Sequence, residues 1–240
     1  MANTMRLDKI LCHMGIASRR DLRPLIRTGA VKIDGERARS GSEHVNVETQ
    51  VVTFRGEEVI YQEFVYLMLN KPEGYLSATE DGRGATVIDL IGDDYNFFEL
   101  FPVGRLDRDT EGLLVLTNNG KIAHELLAPK KHVPKKYYAE IRGKVTEADG
   151  VRFHEGITLD GNKTMPAVLE ILENDEDTSK IMLTICEGKY HQVKRMFEVV
   201  GKEVTYLKRV QMGQLKLDET LPLGSYRELT DTELELLKAK

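Results

Sequence analysis

The chain has 240 residues, enough for two domains, and its 41% apolar content is enough for a sizeable core. A formal net charge of −5 excludes a uniformly basic nucleic-acid coat. No apolar run approaches the roughly 20 residues of a membrane span, and two distant cysteines, Cys12 and Cys186, make no disulfide framework.

The start, MANTMRLDKI, turns charged at once and shows no signal-peptide pattern, so a cytoplasmic protein with reduced cysteines is expected. Residues 1–62 read as a separate small unit. In RLDKILCHMG, Leu7, Ile10, Leu11 and Met14 share one helical face, and Gly15 is a natural stop. In SRRDLRPLIRTG, Ser18 caps a second helix with Asp21 three residues on, and Leu22, Leu25 and Ile26 point inward. Asp34-Gly35 predicts a hairpin turn after Val31 and Ile33. Arg55-Gly56 predicts another, between strands Val51 to Phe54 and Val59 to Tyr61. Arg19, Arg20, Arg23 and Arg27 lie opposite the apolar face of the second helix. Four arginines so placed repel one another unless an anion lies opposite.

A boundary is expected near Gln62-Glu63, with a second domain over residues 63–240. FVYLMLNKPEG reads as an apolar strand ended by a turn at Lys71-Pro72, exposed and able to line a cleft. Further strands are expected near 113–117, 136–142, 166–172 and 181–186, and helices near 86–91, 121–127, 146–154, 191–200 and 231–238, the last capped by Thr230 with Glu233. Strands and helices do not alternate strictly, so the fold class is α+β, a small helical and β domain followed by a mixed-sheet domain.

Charge is segregated. Between Arg6 and Arg39 nine basic residues face four acids, between Lys130 and Lys144 six face one, and between Lys180 and Lys216 eight face three. That is the footprint of a polyanion-binding face, provided the segments share a surface. Neither a P-loop nor a GxGxxG fingerprint is present, and no Cys/His cluster suggests a metal, so no cofactor is expected and any chemistry falls to ordinary side chains. In GRLDRDTEGLLVLT, Asp107 follows Gly104 and precedes a buried strand, which suits a rigidly held nucleophile or base; the alternative is a solvated turn acid paired with Arg105 or Arg108. Tyr137 and Tyr138 in PKKYYAEI face opposite sides of a strand, one packed and the other free to stack on a base, or both structural. In EGKYHQVKRMF, Val193, Met196, Phe197 and Val200 form the inner face of a helix that Lys194 leaves, and His191 reads as structural or phosphate-facing.

Together, VGRLDRDTEGLLVLTNNG, LNKPEGY, KKYYAEI and EGKYHQVKRMF resemble the signature segments of the RsuA family of RNA pseudouridine synthases. The N-terminal unit is similar to the small RNA-binding domain of ribosomal protein S four. The resemblance covers essentially the whole chain. It implies that Asp107 is the catalytic aspartate, that Tyr137, framed by Lys135 and Ala139, packs against the target base, and that Lys194 pairs with the aspartate where many relatives carry arginine. It further implies conversion of a flipped-out uridine to pseudouridine, which needs no net redox change. The Tyr-His-Gln-Val-Lys form resembles the branch acting on small-subunit (16S) ribosomal RNA. Large-subunit RNA, or a non-catalytic assembly factor that binds ribosomal RNA, are the alternatives. RNA contacts are then expected from Arg19, Arg20, Arg23, Arg27, Lys71, Arg105, Lys135 and Lys189, with Lys136 and Lys208 continuing the surface, on a monomer.

Overall fold

The structure, a computed structural model, describes residues 4–82 and 84–239. They group into two compact units, Met1–Val65 together with Gly92–Glu99, and Tyr66–Ile91 together with Leu100–Lys240.

In the first unit, helix α1 (Leu7–His13) buries Leu7, Ile10 and Leu11, and Gly15 follows at φ +69°. Helix α2 (Arg19–Arg27) buries Leu22 and Ile26, and the Ser18 hydroxyl oxygen accepts from the Asp21 amide at 3.3 Å. The two helices pack on Val31, Val45 and Val52 of short strands. Asp34-Gly35 and Arg55-Gly56 both take left-handed backbone, as two-residue hairpin turns demand. The second hairpin returns through Glu57–Glu58, not through 59–61 as expected, because a two-residue turn pairs Phe54 directly with Glu57. A strand pair absent from the sequence reading joins Thr4–Arg6 to His44–Asn46. Residues 92–99 belong to this unit, where Phe98 meets the rings of His13 and Phe97.

The second unit is built on a mixed sheet. Its seven main strands are β1 (Tyr66–Lys71), β2 (Glu111–Thr117), β3 (Lys135–Arg142), β4 (Val168–Asn174), β5 (Thr178–Ile185), β6 (Glu203–Met212) and β7 (Tyr226–Glu228), in the order β4-β5-β3-β6-β2-β1-β7. Short strands Phe101–Pro102 and Leu215–Lys216 pair with β2 and β6. Strands β1 and β2 are near-continuous apolar runs because both their faces are covered. Neighbours in this order run antiparallel except β6 and β2, which pair in parallel through Lys208↔Glu111 and Arg209↔Gly112. That close approach requires glycine at 112: its φ is +99°, and a Cβ there would run into the Arg209 carbonyl oxygen.

Helix α3 (Gly120–Leu127), capped by Asn119, and helix α6 (Asp231–Lys238) enclose a core that includes Met68, Leu113, Val115, Ala123, Leu126 and Leu237. Helices α4 (Glu147–Glu155) and α5 (Gln192–Val199) meet through Phe153 and Phe197, whose rings lie edge to face at 4.9 Å. Residues 87–90 form a 3-10 turn, not the α-helix expected there. The long strand β6 was not read from EVTYLKRVQM, since its lysine and arginine had marked it only as basic. Both cysteines are free thiols.

The start of α6 carries a pH-dependent brace. The Thr230 amide donates to the Glu233 carboxylate at 2.9 Å, and the Arg227 guanidinium grips both Glu233 oxygens at 2.7 and 2.8 Å while donating to Asp218 at 2.8 Å. The bonds from Arg227 hold the Glu233 carboxyl down at about 2, from an ordinary value of 4.5. A carboxyl depressed by folding stabilises fully above its unfolded value and loses that contribution as pH falls towards the folded one. Arg227→Met is therefore expected to lower the melting temperature at pH 7. The gap to the native protein should narrow between pH 4.5 and 2 in calorimetric scans, and a gap that stays constant with pH would refute the brace.

Candidate active site

Asp107 lies in the loop that feeds β2, at the floor of a cleft of about 860 Å³ within the second unit. That is the size range of small-molecule sites. The loop is held from behind. Lys71, at the end of β1, is 0% exposed, and its ammonium donates to the carbonyls of Pro72 (2.9 Å), Asp107 (3.2 Å), Arg108 (3.3 Å) and Thr110 (2.9 Å). Burial pushes that ammonium down to about 8, opposed by the carboxylates of Asp109, Glu111, Asp107 and Glu73, so it stays mainly protonated at neutral pH. The Arg108 side chain donates to the Gly74 carbonyl at 2.9 Å, and the Gly74 amide donates to the Arg108 carbonyl at 2.8 Å. The Ser77 hydroxyl donates to the Leu106 carbonyl at 2.9 Å and accepts from the Leu106 amide at 3.0 Å. A loop fixed at this many points presents its carboxylate in one orientation.

The expectation that Lys71 contacts RNA from an exposed turn is therefore corrected. Its side chain is wholly enclosed, and its donors are already committed to the loop backbone. The sequence carried a signal that was not used: a lysine closing an otherwise apolar strand has to find buried acceptors.

Two side chains face Asp107 or its neighbour from the start of α5. The His191 Nε2 lies 3.7 Å from Asp107 Oδ1, and the Lys194 Nζ lies 3.9 Å from Oδ2. The shorter ion pair of Lys194 goes to Asp109, at 2.5 Å. Burial alone would raise the Asp109 carboxyl, but the bond and charge of Lys194 outweigh it and hold the group below the usual range. So Lys194 is shared between two carboxylates, and Asp109 is its closer partner. His191 sits at φ 48°, caps α5 with backbone only, and stacks its ring on Tyr190 at 3.9 Å.

Opposite this edge, β3 supplies Tyr137, which lines the cleft and is buried. Tyr138 points to the other side of the sheet and donates to Glu140. Tyr137 pairs across strands with Arg209 of β6, next to a register shift between Lys136 and Tyr137. Bulges of this kind re-aim side chains beside active sites. Arg105, exposed, and Lys135 and Lys189, half-buried, also line the cleft. Lys189 is partly engaged, donating to the Lys163 carbonyl at 3.2 Å and lying 3.8 Å from Glu187. Sequence reasoning did not single out Ser77 or Arg209.

In the first unit a separate concavity is lined by Arg19, Arg23 and Arg27, joined by Arg6 and Arg39. Arg20 is exposed but does not line it. Among the described residues no helix is long and apolar enough to cross a membrane, and no group of three or more His, Cys, Asp or Glu is placed to hold a metal ion.

Comparison with known proteins agrees with this geometry. Residues 65–199 match the family described as RNA pseudouridylate synthase, and residues 5–51 match the S4 domain. The chain is 53% identical to the uncharacterized RNA pseudouridine synthase YtzG of Bacillus subtilis, covering 97% of this chain and 98% of that one. It is 39% identical both to ribosomal small subunit pseudouridine synthase A of Vibrio cholerae and to ribosomal large subunit pseudouridine synthase B of Bacillus subtilis. Those matches cover 96% and 98% of this chain, and 98% and 96% of the relatives. A solved structure, described as a pseudouridylate synthase, superposes with a TM-score of 0.68 at 38% identity over 97% of this chain and 99% of that one.

Proposed function

We propose, for a chain that belongs to the RNA pseudouridylate synthase family, that its target is one uridine of small-subunit (16S) ribosomal RNA and that Asp107 carries the reaction. The observation that supports the chemistry is the placement of Asp107: a carboxylate braced through its own backbone, with Lys194 and His191 beside it, in a cleft that Tyr137 also lines. The target base leaves its stack to enter the cleft. The N1–C1′ bond breaks, the uracil turns, and a C5–C1′ bond forms. C5 gives up its proton and N1 gains one, so atoms and electrons balance within the substrate. Asp107, with Lys194 nearby, is the nucleophile for the detachment step. Tyr137, which lines the cleft, keeps the freed uracil against the sugar.

The choice of small-subunit RNA rests on Tyr190-His191-Gln192-Val193-Lys194, with lysine rather than arginine at 194. The S4 domain, with Arg19, Arg23 and Arg27 around one concavity, suits sequence-independent grip on the RNA backbone, with Arg20 adding charge outside it. The protein then works as a monomer in the cytoplasm, on ribosomal RNA or on an assembling small subunit. A second reading, a uridine in large-subunit RNA, is favoured by the equal 39% identity to the relative named for that subunit. Pseudouridine mapping of ribosomal RNA from cells lacking this protein tests both. One site is expected to vanish from 16S RNA. Loss of a large-subunit site instead, with 16S RNA intact, would replace the proposal with the second reading.

A further inference from the structure

Two cations share the back wall of the cleft without a counter-ion. Arg209 is 1% exposed, and its Nε donates to the Leu113 carbonyl at 2.8 Å, but its Nη2 is buried with no hydrogen-bond partner. Lys135, half-buried two residues before Tyr137, uses its ammonium on the Val133 carbonyl at 3.1 Å. Arg209 is the cross-strand partner of Tyr137, two residues along β3 from Lys135, and both cations line the cleft; burial, and then the positive charge of Arg209, push the Lys135 ammonium below its usual range. Among the described residues neither makes an ion pair. The acids of the cleft are occupied elsewhere. Asp107 faces His191 and Lys194, and Glu187 accepts from the Met165 amide and the Gln192 side chain, both at 2.9 Å.

Burying like charges together is costly unless an anion joins them. Here the charges sit beside Tyr137, on the wall across which the target nucleotide must lie. An RNA chain brings one anion per nucleotide into such a cleft, and the phosphate is the only charged part of it.

We propose that Lys135 and Arg209 form a phosphate subsite that holds one backbone phosphate flanking the target uridine. Lys135, on a flexible stem, makes the direct contact. Arg209, anchored through Leu113 and out of reach of solvent, acts as a positioning residue that supplies a fixed positive field behind it. The subsite explains why a lysine and an arginine are kept where no protein carboxylate balances them. It sets the sugar of the target nucleotide against Asp107 by gripping the chain on one side of it. The inference rests on reading the cleft as the uridine site.

The test uses the full-length protein and a synthetic RNA that it modifies, with each phosphate within two nucleotides of the target replaced singly by an uncharged methylphosphonate. At one position the replacement is expected to lower kcat/KM of the native enzyme by about 10- to 100-fold, the range of one charge-assisted contact. In Lys135→Met that same RNA should lose less than about twofold relative to unmodified RNA, because the contact is already gone, and Lys135→Arg should restore most of the sensitivity. The salt dependence of RNA binding should fall by about one phosphate contact in Lys135→Met. Equal sensitivity of the native enzyme and Lys135→Met at every position, or an unchanged salt slope, would overturn the subsite. Lys135 carries the test because Arg209→Met risks the fold of β6. Failure of the cleft reading would show separately, as normal turnover by a protein altered at Asp107.

Discussion

Asp107→Asn is expected to bind RNA and form no pseudouridine. The amide is isosteric, and the loop around it is held by bonds to backbone atoms and to Ser77, none of which needs the carboxylate. Folding should therefore be unchanged, and the melting temperature should stay within a degree or two of native. Catalysis loses its nucleophile, so kcat should fall by more than about 10,000-fold. RNA affinity should hold or rise slightly, because a negative charge leaves the cleft. The measurements are single-turnover product formation and equilibrium binding on the same RNA. Product at the native rate would end the assignment of Asp107. Loss of both binding and folding would show that the carboxylate is structural.

Lys71→Met is expected to give the largest loss of stability among substitutions at the site. Methionine fills nearly the same volume, so packing is not the issue. The four carbonyls now served by one ammonium lose their donor in a place water does not reach. Removing one partner from a buried charged network costs about 3–5 kcal/mol. For a unit of this size that corresponds to a drop of roughly 10 °C in the melting temperature. Where the variant still folds, kcat should suffer more than KM, since the loop that aims Asp107 slackens while the RNA-gripping surfaces are untouched. Lys71→Arg should not rescue it: a planar guanidinium cannot direct its donors at carbonyls arranged around a point charge. Native stability and native kcat in Lys71→Met would refute the brace.

The two substitutions separate chemistry from scaffolding, one in the loop and one in the strand end that braces it. Asp107 reads out the reaction and Lys71 the geometry that makes it possible. Lys194 links them, since it touches the same loop through Asp109 and faces Asp107.

Much of the fold was legible because its signals are local. Ser18 and Thr230 cap helices where their spacing to Asp21 and Glu233 said they would. Asp34-Gly35 and Arg55-Gly56 turn the chain as their φ preferences require. The apolar runs 67–69 and 113–116 are core strands, and the inner face of α5 is Val193, Met196 and Phe197. Asp107, Tyr137 and Lys194 were also named from their motifs; Asp107 and Tyr137 line the same cleft, and Lys194 lies 3.9 Å from Asp107. Strand β6 was missed because its basic residues dominated the reading of a segment whose alternation is weak.

What the chain alone determined is the kind of most elements and which motifs stand out, since periodicity, caps and turn residues act within a few positions. What only the tertiary structure decided is the surroundings of each charge. Lys71 is buried because β1 lies inside the sheet, with the loop before β2 folded over its end. Arg209 adjoins Tyr137 because β6 runs between β3 and β2, which brings together residues more than 70 positions apart. Lys194 divides itself between Asp107 and Asp109 because α5 starts across from their loop. A side chain's protonation, partners and reach are sums over neighbours distant in sequence, and no local window contains them.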